Sequence, residues 1–440
     1  MRPNIVFYFS DQQRWDTVNE EVMPFLSEFK SDGVEFLENF TCQPVCGPAR
    51  ACLQTGVYAT QNGSFKNAVA LDKNIKPLAD YFNEAGYDTA YVGKWHLASD
   101  NKKRVHVERK PVPEELRGGY KHWMAADVLE FTSTGYGGGY VYDTDGNRVD
   151  FSGYRADAIG GFAVDYVLNH ESDKPFFLFV SQLEPHHQNN HHAFEGPEKY
   201  RKQFENYPLP SDLTFLKGDY EKSYPNYLAA IRSLDDNFRR LVDALAETGR
   251  LENTVVFYTS DHGCHFKTRN LEYKRSSHDA SIHTPLIIWG GAFRGGKTAD
   301  YPTSLIDLPA TLLDVAGIEV PKSFAGKSLL KVQKGEDKPR EAVFVQVSES
   351  QTARAVRTSR YTYSVRSLNP PYISGRMGAK VYFEDYLYDN EADPDQKRNL
   401  VKDKNYADVR KQLKALLLEE MKKAGEAEPK ILPAVIVRKK

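Results

Sequence analysis

The segment Cys46-Gly47-Pro48-Ala49-Arg50-Ala51-Cys52-Leu53-Gln54-Thr55-Gly56 has residue types that can do chemistry if a helix begins there. Pro48 suits a first helical turn, because its missing N–H would be an orphan at that place anyway. Cys46 then lies at the helix N-terminus, where free backbone N–H groups and the macrodipole favour negative charge. Arg50, four residues on, stands about one turn up the same face with its guanidinium able to point back at Cys46. A packing cysteine in a capped helix is the alternative reading of the same spacing. Asp11 follows an apolar run at residues 4–9 and Asp261 follows another at 254–259. Two carboxylates at the ends of core strands can converge on a hard divalent cation, which seeks oxygen ligands. Lys94 and His96 come just after a β-rich run at 89–92 and share one side if the strand continues. Paired in this way they would hold an anion and supply a titrating imidazole, whereas a surface lysine and a structural histidine fit the spacing equally. His186, His187, His191 and His192 crowd the loop after 176–180. Such a run suits zinc, yet no acidic or cysteine cluster lies nearby in the sequence to complete that site.

These groups need a scaffold that brings distant loops together. Strands are expected over residues 4–9, 34–40, 89–92, 176–180 and 254–259, and helices over 24–30, 77–85 and 155–170. Tyr227, Leu228, Ile231, Leu234, Phe238, Leu241 and Leu245 recur every three to four residues and mark the apolar face of a long helix. This alternation predicts an α/β sandwich around a large, mostly parallel sheet, with catalytic groups on loops beyond the strand ends. Between 117 and 155 the composition turns to Gly, Tyr and Asp, with Asp145-Gly146 as a hairpin signal. It reads either as an insertion shaping the mouth of the site or as an ordinary exposed hairpin. After a charged linker at 331–340, β-rich runs at 342–347, 354–358, 361–365 and 386–388 predict a small antiparallel sheet. A helix over 406–423 and a fraying basic end at 438–440 follow. The expected domains are residues 1–335 and 336–440.

Lys+Arg is 58 and Asp+Glu is 60, a formal net charge of -2. No global basic field exists to hold nucleic acid or an anionic bilayer, so neither is an expected partner. At 40% hydrophobic and 12% aromatic residues the chain is expected to fold. No apolar run approaches the roughly 18 residues of a membrane span, and no charged leader precedes an apolar segment at the start. The expected location is the cytoplasm as the sequence stands, or the periplasm or medium if a signal peptide has been removed. Cys42, Cys46, Cys52 and Cys264 form neither a disulfide framework nor the paired short-knuckle spacing of structural zinc.

Cys46-x-Pro48-x-Arg50 followed by Thr55-Gly56 resembles the signature of the type I, formylglycine-dependent sulfatases of the alkaline phosphatase superfamily. The likeness runs from Arg2-Pro3-Asn4-Ile5 through Gly93-Lys94-Trp95-His96 and Pro185-His186 to Leu387-Tyr388-Asp389, Asp393-Pro394 and Asn399-Leu400. It implies an alkaline-phosphatase-like sandwich with a smaller C-terminal antiparallel-sheet subdomain. It also implies that a maturation enzyme converts Cys46 to Cα-formylglycine, whose hydrated aldehyde is the nucleophile. The implied calcium ligands are Asp11, Gln12, residue 46, Asp261 and His262. Gln12 replaces a common second aspartate and His262 replaces the commoner Asn, a softer ligand that keeps manganese or zinc as alternatives. Lys94 and Lys274 match sulfate-binding lysines, with Arg275 as the neighbour most easily mistaken for Lys274. His96 and His186 match the family's histidines. His187, His191, His265, Arg269 and Arg275 are candidate substrate contacts, and Cys264 a packing residue.

The chemistry implied is sulfuric-ester hydrolysis. The loops rich in His, Asn, Arg and aromatic residues fit a hydroxylated ligand, and resemble those of bacterial exo-acting sulfatases of algal or host polysaccharide fragments. A sulfated oligosaccharide is therefore the expected substrate. A phosphonate monoester or phosphodiester hydrolase of the same superfamily is the alternative, and a non-catalytic carbohydrate-binding relative the third reading.

Overall fold

The computed structural model describes residues 2–368 and 375–434; the basic end at 438–440 lies outside them. Asn4–Ser10 is its axis. All seven residues are buried, because side chains on both faces meet helices, and the stretch Ile5–Phe9 is therefore hydrophobic throughout. It pairs in parallel with Phe176–Ser181 and with Thr254–Ser260, and Phe7 stands opposite both Phe179 and Phe257. Among the described residues ten strands build this sheet. Its centre, formed by Thr254–Ser260, Asn4–Ser10, Phe176–Ser181, Asp88–Lys94 and His122–Ala126, is parallel throughout. Leu286–Trp289 joins one flank antiparallel, and the hairpin of Gly139–Tyr142 and Arg148–Phe151 joins the other.

Strand alternation sends side chains to two cores. Val6 and Tyr8 pack with Ile159 of helix Arg155–Leu168 and with Leu234 and Phe238 of helix Tyr220–Glu247. Ile5, Phe7 and Phe9 pack with Leu53 of Cys46–Thr55, Leu78 of Leu78–Glu84 and Leu312 of Leu308–Val315. This is the expected α/β sandwich. The single strand expected at 34–40 is instead two: Val34–Phe36 in the main sheet, and Asn39–Phe40 paired with Thr303–Ser304. Leu37, 42% exposed, sits at the step where the chain leaves the sheet.

The second sheet contains Ala342–Val347, Ala353–Thr358, Tyr361–Arg366 and Val381–Asp389, all antiparallel. A fifth strand, Lys430–Leu432, adds in parallel and was not expected. Leu413, Leu417 and Met421 of helix Ala407–Lys423 cover the sheet, and Cys42, Cys52, Tyr58 and Ile306 enter the same core from the larger unit. Among the described residues no helix is long and apolar enough to cross a membrane.

Candidate active site

Parallel strands deliver functional groups at their C-terminal ends. Asp11 follows Asn4–Ser10, Asp261 follows Thr254–Ser260, Lys94 closes Asp88–Lys94, and His186 lies just beyond Phe176–Ser181. The N-terminus of Cys46–Thr55 points at the same place, with Pro48 in its first turn. Asn67 Oδ1 accepts from the Gly47 N–H at 3.0 Å, satisfying one orphan donor of that helix.

Cys46 Sγ is the centre of the cluster. It lies 2.8 Å from Lys274 Nζ, 3.3 Å from His262 Nε2 and 3.4 Å from Asp11 Oδ1. Burial opposes ionisation of this thiol, but the positive charges of Lys274 and Lys94, with His262, hold it well below its ordinary value. Arg50 does not point its guanidinium at Cys46. It donates to Asp11 Oδ2 at 3.1 Å, to the Lys94 carbonyl at 3.0 Å and to Ser181 Oγ at 2.6 Å. A buried carboxylate is a stronger acceptor for a guanidinium N–H than a thiol is. Lys94, fully buried, bridges Asp11 Oδ2 at 2.9 Å and Glu130 Oε1 at 3.2 Å. Burial and Cys46 both work against charge on Asp11, and Lys94, His186 and Lys274 outweigh them, so its carboxyl is held well below the usual range. Asp261 is pushed up to about 6, by burial first and then by Asp11.

The donors fit a divalent cation. Ligand atoms of Asp11, Cys46, Asp261 and His262 all lie within 4.8 Å of one another, and Asp261 Oδ2 is buried without a hydrogen-bond partner. His262 Nδ1 sits 2.9 Å from the Gly263 carbonyl, which can only accept. The proton is therefore on Nδ1, and Nε2 presents a lone pair to the centre. Gln12 Oε1 faces the same point, 3.5 Å from Lys274 Nζ.

A cavity of about 610 Å³ opens over this cluster, lined by Gln12, Cys46, His96, His186, His187, Lys274 and Arg275 among others. His186 Nε2 is 3.2 Å from Lys274 Nζ, and burial and then Lys274 lower its pKa. His96 lines the cavity, but not as the strand neighbour of Lys94: the strand ends at Lys94 and His96 has φ 63. Two expected contacts, His187 and Arg275, are on the wall. His187 packs its ring on Tyr273 at 4.5 Å, and Arg275 pairs with Glu272 at 2.9 Å and Glu349 at 3.3 Å. The other three are engaged elsewhere. His191 pairs with Glu195. His265 is fully buried, its Nε2 on the Lys274 carbonyl at 3.1 Å. Arg269 donates to the carbonyls of Asp395 and Gln396 at 2.7 and 2.9 Å.

Sequence reasoning passed over Asn67, Glu130 and Glu349. Glu130 lies inside the Gly-, Tyr- and Asp-rich stretch that reads either as shaping the mouth or as an exposed hairpin, which was the available signal. Nothing near Asn67 or Glu349 in sequence announces a role; Glu349 Oε2 accepts from the Asn67 N–H at 3.3 Å across 282 residues.

Residues 3–318 match the sulfatase family model, and residues 270–423 match that of N-sulphoglucosamine sulphohydrolase, C-terminal. The chain is 30% identical to the uncharacterized sulfatase YidJ of Escherichia coli (strain K12), over 96% of this chain and 88% of that protein. It is 25% identical to an N-acetylglucosamine-6-O-sulfatase of Bacteroides thetaiotaomicron, over 97% of this chain and 88% of that protein. A solved Bacteroides thetaiotaomicron structure, titled for the metabolism of multiple glycosaminoglycans, shares the fold with TM-score 0.83 at 22% identity, covering 97% of each chain. A family model that spans most of the chain decides the assignment: this chain belongs to the sulfatase family, the sulfuric-ester hydrolases of the alkaline phosphatase superfamily.

Proposed function

We propose that the enzyme removes sulfate from a sulfated carbohydrate, with residue 46 matured to Cα-formylglycine and calcium as its ion. The observation that carries the reading is the convergence of Asp11, Cys46, Asp261 and His262 beneath a cavity that also holds His96, His186 and Lys274. Catalysis is assigned to residues 1–335, and 336–440 to a subdomain whose Glu349 supports the cavity wall from behind, through Arg275 and the Asn67 N–H. The carbohydrate class is supported by the relative named for N-acetylglucosamine-6-O-sulfate chemistry and by a wall that mixes polar groups with Phe131 and Tyr273.

Asp11, Asp261, His262, residue 46 and Gln12 Oε1 would hold the ion, which when bound supplies Lewis acidity at position 46. The matured side chain, made by a formylglycine-generating enzyme, supplies the oxygen nucleophile. Arg50 and Lys94 fix the orientation of Asp11 through charge-assisted hydrogen bonds. Lys274 Nζ, the nearest cation to Cys46 Sγ, donates to the sulfuryl oxygens as charge develops on them. His186, 3.2 Å from Lys274, passes a proton to the departing alcohol, and Lys274 replenishes it. His96, on the cavity wall, takes the proton whose loss releases sulfate and restores the aldehyde.

The test is turnover of a panel of monosaccharide sulfates by the enzyme coexpressed with the maturation enzyme. The parent protein should hydrolyse at least one, and a hydrazide reagent should label the peptide containing residue 46. Cys46→Ala should abolish both signals. Full turnover by Cys46→Ala would refute the proposal.

A further inference from the structure

Glu130 has no task in the reaction as derived above. It stands on the short helix Leu129–Thr132, is 7% exposed, and lines the same cavity as Cys46. One carboxylate oxygen, Oε1, accepts from Lys94 Nζ at 3.2 Å. The other, Oε2, is buried with no hydrogen-bond partner. An unpartnered carboxylate oxygen out of water is costly, so a buried one on a cavity wall calls for a donor. The group is an anion: burial opposes its charge, but Lys94, then His186 and His96, draw its carboxyl down to about 2, with Asp11 working the other way. It can therefore only accept. Its chain neighbour Phe131 lines the cavity too and leaves 44% of its surface open, an apolar face beside a free acceptor.

We propose that Glu130 Oε2 accepts a hydrogen bond from a hydroxyl of the sugar ring that carries the sulfate ester, and so selects which ring position presents its sulfate to residue 46. The assignment rests on the carbohydrate reading above. Lys94 joins Glu130 to Asp11, whose Oδ1 is 3.4 Å from Cys46 Sγ, so Glu130 is three contacts from the reacting centre. A ring hydroxyl lies only a few bonds from the sulfate ester of the same sugar. Phe131 would take the apolar C–H face of that ring.

The experiment is a cycle between protein and substrate. The sugar sulfate turned over fastest in the panel is compared with its deoxy analogues, one hydroxyl removed at a time, on the parent and on Glu130→Gln. The amide keeps the volume and an oxygen for Lys94. On the parent enzyme one deoxy analogue should lose about 30-fold in kcat/KM, the size of a hydrogen bond to a charged group. Glu130→Gln should lose about as much on the full substrate and almost nothing more on that analogue, because both changes delete one interaction. Glu130→Asp, which retains the charge near Lys94 but withdraws the oxygen, should reproduce this pattern. Losses that add at every ring position would overturn the assignment and leave Glu130 as a support for Lys94. An unchanged kcat/KM for the variants would overturn it as well. A parent enzyme that hydrolyses an aryl sulfate but no sugar sulfate removes the carbohydrate reading and this assignment together, a result visible before any variant is made.

Discussion

Calcium added to the chelator-stripped protein should raise its melting temperature by about 3 °C, and Asp261→Asn should erase the shift. Asp11 and Asp261 are both fully buried and face one point. Asp11 is compensated by Lys94 at 2.9 Å and Arg50 at 3.1 Å. Asp261 is not: its Oδ2 has no hydrogen bond, and Arg50 approaches only to 3.6 Å. An ion between the two carboxylates replaces repulsion with attraction in the folded state alone, since the unfolded chain has no such site. At about a hundredfold excess over the dissociation constant, linkage gives about 2.7 kcal/mol. The unfolding entropy scales with length, and 440 residues at about 2.1 cal/mol/K each give about 0.9 kcal/mol per degree. The quotient is about 3 °C. Differential scanning calorimetry of the protein with the thiol still at position 46 reads this without any turnover. Two results would refute the reasoning: no shift in the parent with calcium, manganese or zinc, or the same shift in Asp261→Asn.

Lys274→Met removes the donor that reaches Cys46 Sγ, His186 and His262 while keeping an apolar stem, and kcat on a sulfate ester should fall by about 10²–10³. A loss below tenfold in steady-state kinetics would contradict the role given to it. Acid should destabilise the fold through His265, whose pKa burial lowers to about 3. The unfolded chain takes that proton near 6.5, so the stabilisation is complete above about 6.5, declines as pH falls towards 3, and has lost about 2 kcal/mol at about pH 5. Urea unfolding at about pH 7.5 and 5 should show His265→Gln, which keeps an N–H for the Lys274 carbonyl, losing about 2 kcal/mol less than the parent.

The scaffold was legible where one element decides its own structure. Residues 4–9 read as a core strand because both faces are apolar, and Pro48 placed Cys46 at a helix start without help from the rest of the chain. The carboxylates followed, since Asp11 and Asp261 need only the rule that parallel strands end on one side. The Lys94–His96 relation was not legible in the same way. Gly93 has φ 106, and a Cβ there would stand 2.0 Å from the Ser181 carbonyl, so the strand tightens against its neighbour before His96 turns at φ 63. Alternation fails at that point for a reason that lies in another strand. Arg269 and His265 were candidate contacts because the segment 261–275 resembles that of the family, yet a loop of this kind faces two ways. Arg269 grips carbonyls about 126 residues further on, and His265 closes the loop on itself. Glu349 belongs to the same class of residue, because its contact with Asn67 exists only once two distant segments have met.

Cys46 is 1% exposed, and Lys274, the side chain pressed most closely on it, lies 228 residues further along. The two halves of the pocket thus come into being at different times. At typical translation speeds the ribosome needs roughly 10 to 45 seconds to make the intervening stretch. During that interval the helix start at 46 has left the exit tunnel while its covering residues do not yet exist. Any catalyst that alters the side chain there has a deadline, set by arrival of the segment carrying Asp261, His262 and Lys274.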